Sequence, residues 1–155
     1  MQEELLAFLI DDDLDDQEFF AMVIEETYPS IQYTFATDGV QALEKLNENP
    51  SFVPNIILID VNMPRLNGLE LLTWLRTQPE FGHLMVIVLT GQARIESINH
   101  AYHLGANSYL VKPVRHEELL DLIQCFYRYW VIHNHLPSPP AGTVPHPLMA
   151  AAADK

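Results

Sequence analysis

The stretch LLAFLIDDDLDD, Leu5 to Asp16, is an apolar run that stops abruptly in acid: Asp11, Asp12 and Asp13, then Asp15 and Asp16. A continuous apolar run is what a parallel strand buried on both faces requires. Carboxylates crowded at its end repel one another and push at least one pKa up, so the chain must bring a cation there or turn some acids to water. Part of the cluster has an ordinary explanation, because Asp is a favoured N-cap and suits the first turn of a helix. Asp13, Asp15 and Asp16 read as such a helix start. Asp11 and Asp12, at the end of the strand, ask for another reason.

Two more runs of this kind follow, IILID (Ile56–Asp60) and MVIVLT (Met85–Thr90), and IQYTFA (Ile31–Ala36) and SYLV (Ser108–Val111) read as shorter strands nearer the edges. Helical spacing fills the gaps at Leu14–Glu26, Gly39–Asn47, Leu66–Thr77, Ala93–Leu104 and Arg115–Asn134, with Asn67-Gly68 moving the start of the third towards Gly68. Pro29, Asn49-Pro50, Pro54, Pro79, Gly82, Gly105 and Pro113 punctuate the segments. Strand then helix, five times, implies an α/β fold with one doubly wound parallel sheet and helices on both faces. From Leu136 the chain reads LPSPPAGTVPHP and holds five of the eleven prolines, an extended tail. The expected organisation is a domain over residues 5–134 and a Pro-rich tail over 135–155.

Composition narrows the function. The chain of 155 residues is 48% hydrophobic, enough for one domain with a core. It has 21 acidic residues against 8 Lys and Arg, a net charge of −13, which argues against nucleic acid and for cations or basic partners. The single cysteine, Cys125, excludes an internal disulfide and reads as a buried thiol among apolar neighbours. No apolar run has membrane-spanning length and MQEELL has no basic n-region, so no membrane is expected and the cytoplasm is the default.

In such a sheet, ligands bind outside the carboxyl ends of the strands. The first strand delivers Asp11 and Asp12 there, the third Asp60, the fourth Thr90, and Lys112-Pro113 follows the fifth. Each alone is ordinary capping chemistry. Together they put three carboxylates, a hydroxyl and an ammonium on one rim. Three carboxylates suit a hard divalent cation such as Mg²⁺. An Asp can be a nucleophile towards phosphorus, and a metal, Lys and Thr can then offset charge on phosphoryl oxygens. No Walker loop or GxGxxG is present.

The motifs LIDDD, IILIDVNMPRLNGLELL, VLTG and GANSYLVKP, with thirty residues from Asp60 to Thr90 and fifty-two from Asp60 to Lys112, resemble the receiver domain of two-component response regulators over Leu5 to Asn134. The resemblance implies a flavodoxin-like (βα)5 fold of strand order 2-1-3-4-5. It implies that Asp60 is the phosphoacceptor, with a histidine kinase as the donor. It implies Mg²⁺ at an acidic pair, Asp11 acting through water and Asp12 directly, with Asp60 and the backbone carbonyl of Asn62. It further implies that Lys112 pairs with the phosphoryl group, that Pro113 is a cis proline, and that Thr90 and Tyr109 form the switch pair. With three acids in a row, Asp12 and Asp13 are the other register for the pair; Leu14 stands where many receivers have Pro. DDDLDDQEFF and the aromatic CFYRYWVIHNHLP are similar to stand-alone receivers that serve phytochrome-type histidine kinases.

Seven histidines, including His100, His103, His133 and His135, lack a partner at metal-ligand spacing and read as solvated. Met63-Pro64 and Gly68 read as turn chemistry. A haloacid-dehalogenase-like phosphatase wants Asp-x-Asp-x-Thr after its first strand; Asp11-x-Asp13 is present but Asp15 replaces the Thr. A receiver-fold scaffold that is never phosphorylated usually lacks a site residue. Phe126, Tyr127, Tyr129 and Trp130 cover more than one helical face, so a homodimer through the last helix and the fifth strand is expected.

Overall fold

The continuous apolar runs conceal an alternation of two, and the alternation builds both cores. A computed structural model describes residues 5–135. Five strands, β1 (Leu6–Ile10), β2 (Gln32–Ala36), β3 (Ile56–Asp60), β4 (Met85–Thr90) and β5 (Ser108–Val111), form one parallel sheet in the order 2-1-3-4-5. Leu6, Phe8, Ile10, Ile57, Ile59, Val86 and Val88 point to one side, where α2 (Gly39–Glu48), α3 (Gly68–Thr77) and α4 (Ile95–His103) cover them. Ala7, Leu9, Ile56, Leu58, Ile87 and Leu89 point to the other, under α1 (Leu14–Thr27) and α5 (His116–Phe126). Successive side chains on a strand face opposite ways, so a strand covered on both faces must be apolar throughout.

Local chemistry sets the helix starts on the site side. Asp13 caps α1 by accepting from the N–H groups of Asp15 and Asp16, Asp38 caps α2 through Gln41 N–H, and Asn67 caps α3 through Glu70 N–H. At the far end of the sheet the half-buried Arg76 guanidinium donates to the carbonyls of Gly82, Leu84 and Gly105 and to Asn107 Oδ1. Gly105 takes φ +104, and a Cβ there would lie 3.0 Å from Arg76 Nε. This is the one described glycine whose backbone conformation itself requires glycine.

The chain departs from the sequence reading in four places. After Phe126 the last helix changes to π winding over Tyr127–His133, where Asn134 N–H donates to Tyr129 O. Its aromatics are only partly surplus: Tyr127 stacks on Tyr28 of α1 (4.2 Å between centroids) and Trp130 is buried, leaving Tyr129 exposed. Cys125 is exposed, not buried, because the inward face of α5 is taken by Leu119 and Ile123. No described peptide bond is cis, so Pro113 is trans, the form an X–Pro bond favours by about 0.5–1 kcal/mol. Lys112 is brought to the rim instead by a backbone bond from its N–H to Thr90 O (2.7 Å). The tail over 136–155 lies outside the described residues.

Candidate functional site

Strand register brings the rim together. Ile10 pairs with Ile59 and Ala36, Asp60 with Leu89, and Thr90 with Val111. Asp11, Asp60 and Thr90 are therefore delivered to one edge of the sheet, and all three are buried. Asp11, Asp12 and Asp60 each present a carboxylate oxygen within 4.8 Å of the others. Asp13 does not join them, since its carboxylate is spent capping α1. The second carboxylate of an Asp-x-Asp phosphatase motif is thus already committed to the backbone.

Lys112 is the cation that the acidic cluster demands. Its Nζ lies 2.8 Å from Asp11 Oδ2, 3.0 Å from Asp60 Oδ2 and 3.0 Å from Asp16 Oδ2. Burial alone disfavours the Lys112 ammonium, but its bonds to Asp11, Asp60 and Asp16 outweigh that and hold its pKa above the usual lysine value. Asp11 fares differently. Burial pushes its carboxyl up to about 6, against the lowering effect of Lys112 and of the Asp13 N–H. The two shifts differ in kind because one ammonium is shared among three carboxylates: the lysine meets several opposite charges, while Asp11 has only a share of one. Negative charge remains in excess, and every donor of the cluster is a hard oxygen. This donor set fits a divalent cation of the Mg²⁺ or Mn²⁺ type.

The neighbouring loops are tied down by side chains with no local sequence signal. Gln17, buried on α1, donates from Nε2 to Asp11 O (2.7 Å) and Ala36 O (3.2 Å), clamping the ends of β1 and β2. The loop after Asp60 is held at its start by Asn62 N–H to Asp60 Oδ1 (3.2 Å). Farther on, Arg65 adopts φ 65 and pairs with the buried Asp38 through Nε and Nη2 (2.9 and 2.5 Å). Gly39 N–H bonds Leu66 O (3.2 Å) beside it. Asn62 itself is exposed. Thr90 Oγ1 donates to Gln92 O (3.2 Å), and Tyr109, half-buried, donates from its hydroxyl to Ser97 Oγ of α4 (2.9 Å). The expected switch pair therefore rests on two separate partners.

Asp38 supplies a pH test. Burial opposes its ionisation, but Gln41 N–H and the Arg65 guanidinium prevail and hold its carboxyl below the usual range. A depressed acid contributes stability above its unfolded pKa of about 3.9 and loses it as pH falls through the folded value. Asp38→Asn is expected to cost about 1 kcal/mol at pH 7, the scale of a partly exposed ion pair. Urea unfolding across pH should show that difference shrinking below about pH 4.

The family model of the response regulator receiver domain matches residues 7–124. The chain belongs to this receiver family. Receivers are signalling domains rather than conventional enzymes. The chain is 28% identical over 133 residues to the probable methanogenesis regulatory protein FilR2 of Methanothrix harundinacea, covering 81% of this chain and 86% of that one. It is also similar to response regulator Rcp1 of Synechocystis. The Mn²⁺-bound crystal structure of Rcp1 superposes with a TM-score of 0.76 at 25% identity, covering 86% of this receiver and 99% of Rcp1. Response regulator RPA3017 in red light signalling of R. palustris matches with a TM-score of 0.78 at 28% identity, covering 87% and 99%. The receiver's strand order is the flavodoxin-like one expected from its sequence. Among the described residues no helix is long and apolar enough to cross a membrane.

Proposed function

We propose that this chain is a stand-alone, cytoplasmic response regulator. It accepts a phosphoryl group from a sensor histidine kinase onto Asp60 in a Mg²⁺-dependent reaction, and signals through a protein–protein surface that phosphorylation switches. One observation carries the reading: Lys112 Nζ sits 3.0 Å from Asp60 Oδ2 while Asp11 and Asp12 bring their carboxylates beside the same residue. Asp60 is the nucleophile; its oxygen bonds to phosphorus as the bond from phosphorus to the donor breaks. Lys112 faces the phosphoryl oxygens and offsets their charge. Asp11, Asp12, Asp60 and the Asn62 carbonyl would hold Mg²⁺, which when bound supplies further charge neutralisation at those oxygens. The similarity to Rcp1, solved with Mn²⁺, supports a divalent ion, and the similarity to a red-light regulator supports a phytochrome-type kinase.

In the switch, Thr90 leaves Gln92 O to donate to the phosphoryl group, and Tyr109 leaves Ser97 for the vacated space. The local charge shifts the population of the surface around α4, β5 and α5. The test uses a small phosphodonor with Mg²⁺. The wild type should take up one acid-labile phosphate, Asp60→Asn none, and Thr90→Ala should take it up without the change in the Tyr109 ring environment. Equal uptake by Asp60→Asn would move the phosphoacceptor elsewhere, and no uptake by the wild type would favour a phosphorylation-independent scaffold.

We further propose a homodimer through α5, its π-wound extension and β5, with the domain ending near residue 134 and the tail from 135 beyond it. β5 is an edge strand, and Val111, Tyr129 and Ile132 expose 51%, 59% and 56% of their surface. Because Tyr127 and Trp130 pack inward, the informative change is Tyr129→Glu with Ile132→Glu. Light scattering should report a dimer for the wild type and a folded monomer for the variant.

A further inference from the structure

Asp16 is the acid that the site did not need and holds nonetheless. It lies at the third position of α1, where an acid ordinarily bonds back to the capping residue. Here its Oδ2 instead meets Lys112 Nζ, ninety-six residues away, at 3.0 Å. An ammonium has three N–H donors. Asp60 and Asp16 each accept a hydrogen bond from it, and Asp11 Oδ2 crowds the same Nζ at 2.8 Å as an ion pair. With three carboxylate oxygens within 3.0 Å of Nζ, a phosphoryl oxygen reaches the ammonium by taking the place of one of them.

The three carboxylates differ in what release costs them. The Asp11 side chain is 3% exposed and that of Asp60 8%, so neither can be rehydrated in place. The Asp16 side chain is 42% exposed. Water replaces its lost bond at little cost, as for any half-exposed ion pair. The incoming group also carries negative charge of its own, and keeping Asp16 on Lys112 would crowd like charges around one cation.

We propose that Asp16 is a positioning residue for the phosphoryl-transfer reaction: a displaceable counter-ion that holds Lys112 in the unmodified site and yields it to the phosphoryl group. The inference rests on the reading above that Asp60 is the phosphoacceptor. Competition has a direction. Removing the charge at Asp16 frees a donor on Lys112, so phosphoryl-like anions bind more tightly and the phosphoryl group on Asp60 is lost more slowly.

The probe is fluoroberyllate, a phosphoryl mimic, titrated in Mg²⁺ against the full chain. Asp16→Asn is expected to tighten binding about two- to fivefold, the factor that a half-exposed ion pair is worth. Asp16→Glu should behave as the wild type. In a Lys112→Ala background, Asp16→Asn should have no effect, because the lysine carries the coupling. Weaker binding by Asp16→Asn would overturn the inference, since Asp16 would then prepare the lysine rather than compete for it. The same tightening without Lys112 would overturn it too, as a field effect through space. Unchanged binding by Asp16→Asn, against a wild type that binds, overturns this inference alone. A wild type that binds no fluoroberyllate and takes up no phosphate overturns the functional reading and this inference together.

Discussion

Gly68→Ala is expected to destabilise the protein by about 3 kcal/mol, the upper part of the usual range for overpacking, and to reduce phosphoryl uptake severely. A Cβ at Gly68 would lie 2.2 Å from Asp60 O, 2.7 Å from Ile59 Cγ2 and 2.9 Å from Asp60 C. Two of those atoms are backbone, so no side chain can swing aside. Alanine gains about 1 kcal/mol over glycine inside a helix, but that gain does not offset a forced separation of α3 from β3. The displaced segment carries Asp60, whose carboxylate would leave Lys112. A misplacement of about 1 Å can cost on the order of a hundredfold in rate. Urea unfolding and uptake from a small phosphodonor measure the two effects. Gly91→Ala is the control, because a Cβ there meets nothing within 4 Å. Wild-type stability in Gly68→Ala would mean that the first turn of α3 does not bear on Asp60.

Lys112→Ala is the second large effect. Without divalent cations near pH 7.5 it should cost about 3 kcal/mol, the scale for removing one partner of a buried ion pair. Asp11 and Asp60, both buried, would face each other without their shared ammonium. Proton uptake caps the penalty, since burial already pushes the Asp11 carboxyl up to about 6 and loss of the lysine pushes it further. Mg²⁺ should then raise the melting temperature of the variant by more than that of the wild type, because a cation binding the folded state stabilises by mass action. Calorimetry with and without Mg²⁺ reads both quantities. A variant as stable as the wild type, with an equal response to Mg²⁺, would show that repulsion in the cluster is not what Lys112 offsets.

The same residues mark how far the sequence could be read. The central strands β1, β3 and β4 were legible because burial on both faces leaves uninterrupted apolar runs; the edge strands β2 and β5, only partly buried, leave mixed ones. The helix starts at Leu14, Gly39 and Gly68 were legible because Asp13, Asp38 and Asn67 act within three residues of themselves. The order of Asp11, Asp12, Asp60, Thr90 and Lys112 at successive strand ends was legible too, since a parallel sheet puts all its carboxyl ends on one rim.

What the tertiary structure alone decided is every contact that joins distant segments. Asp16 looked like part of an ordinary helix start until Lys112 arrived beside it. Gln17 and the pair Arg65–Asp38 carry no pattern, because their partners lie 6 to 27 positions away in the chain. Gly68 looked like turn chemistry, and only the approach of α3 to the Asp60 carbonyl made it a steric requirement. The aromatics after Phe126 looked surplus because composition does not reveal that Tyr28 stacks on Tyr127. Hydrophobic period and capping are local and act within a few residues. Which side chains meet across the fold depends on how the finished elements pack, and that is settled only when the whole core is buried at once.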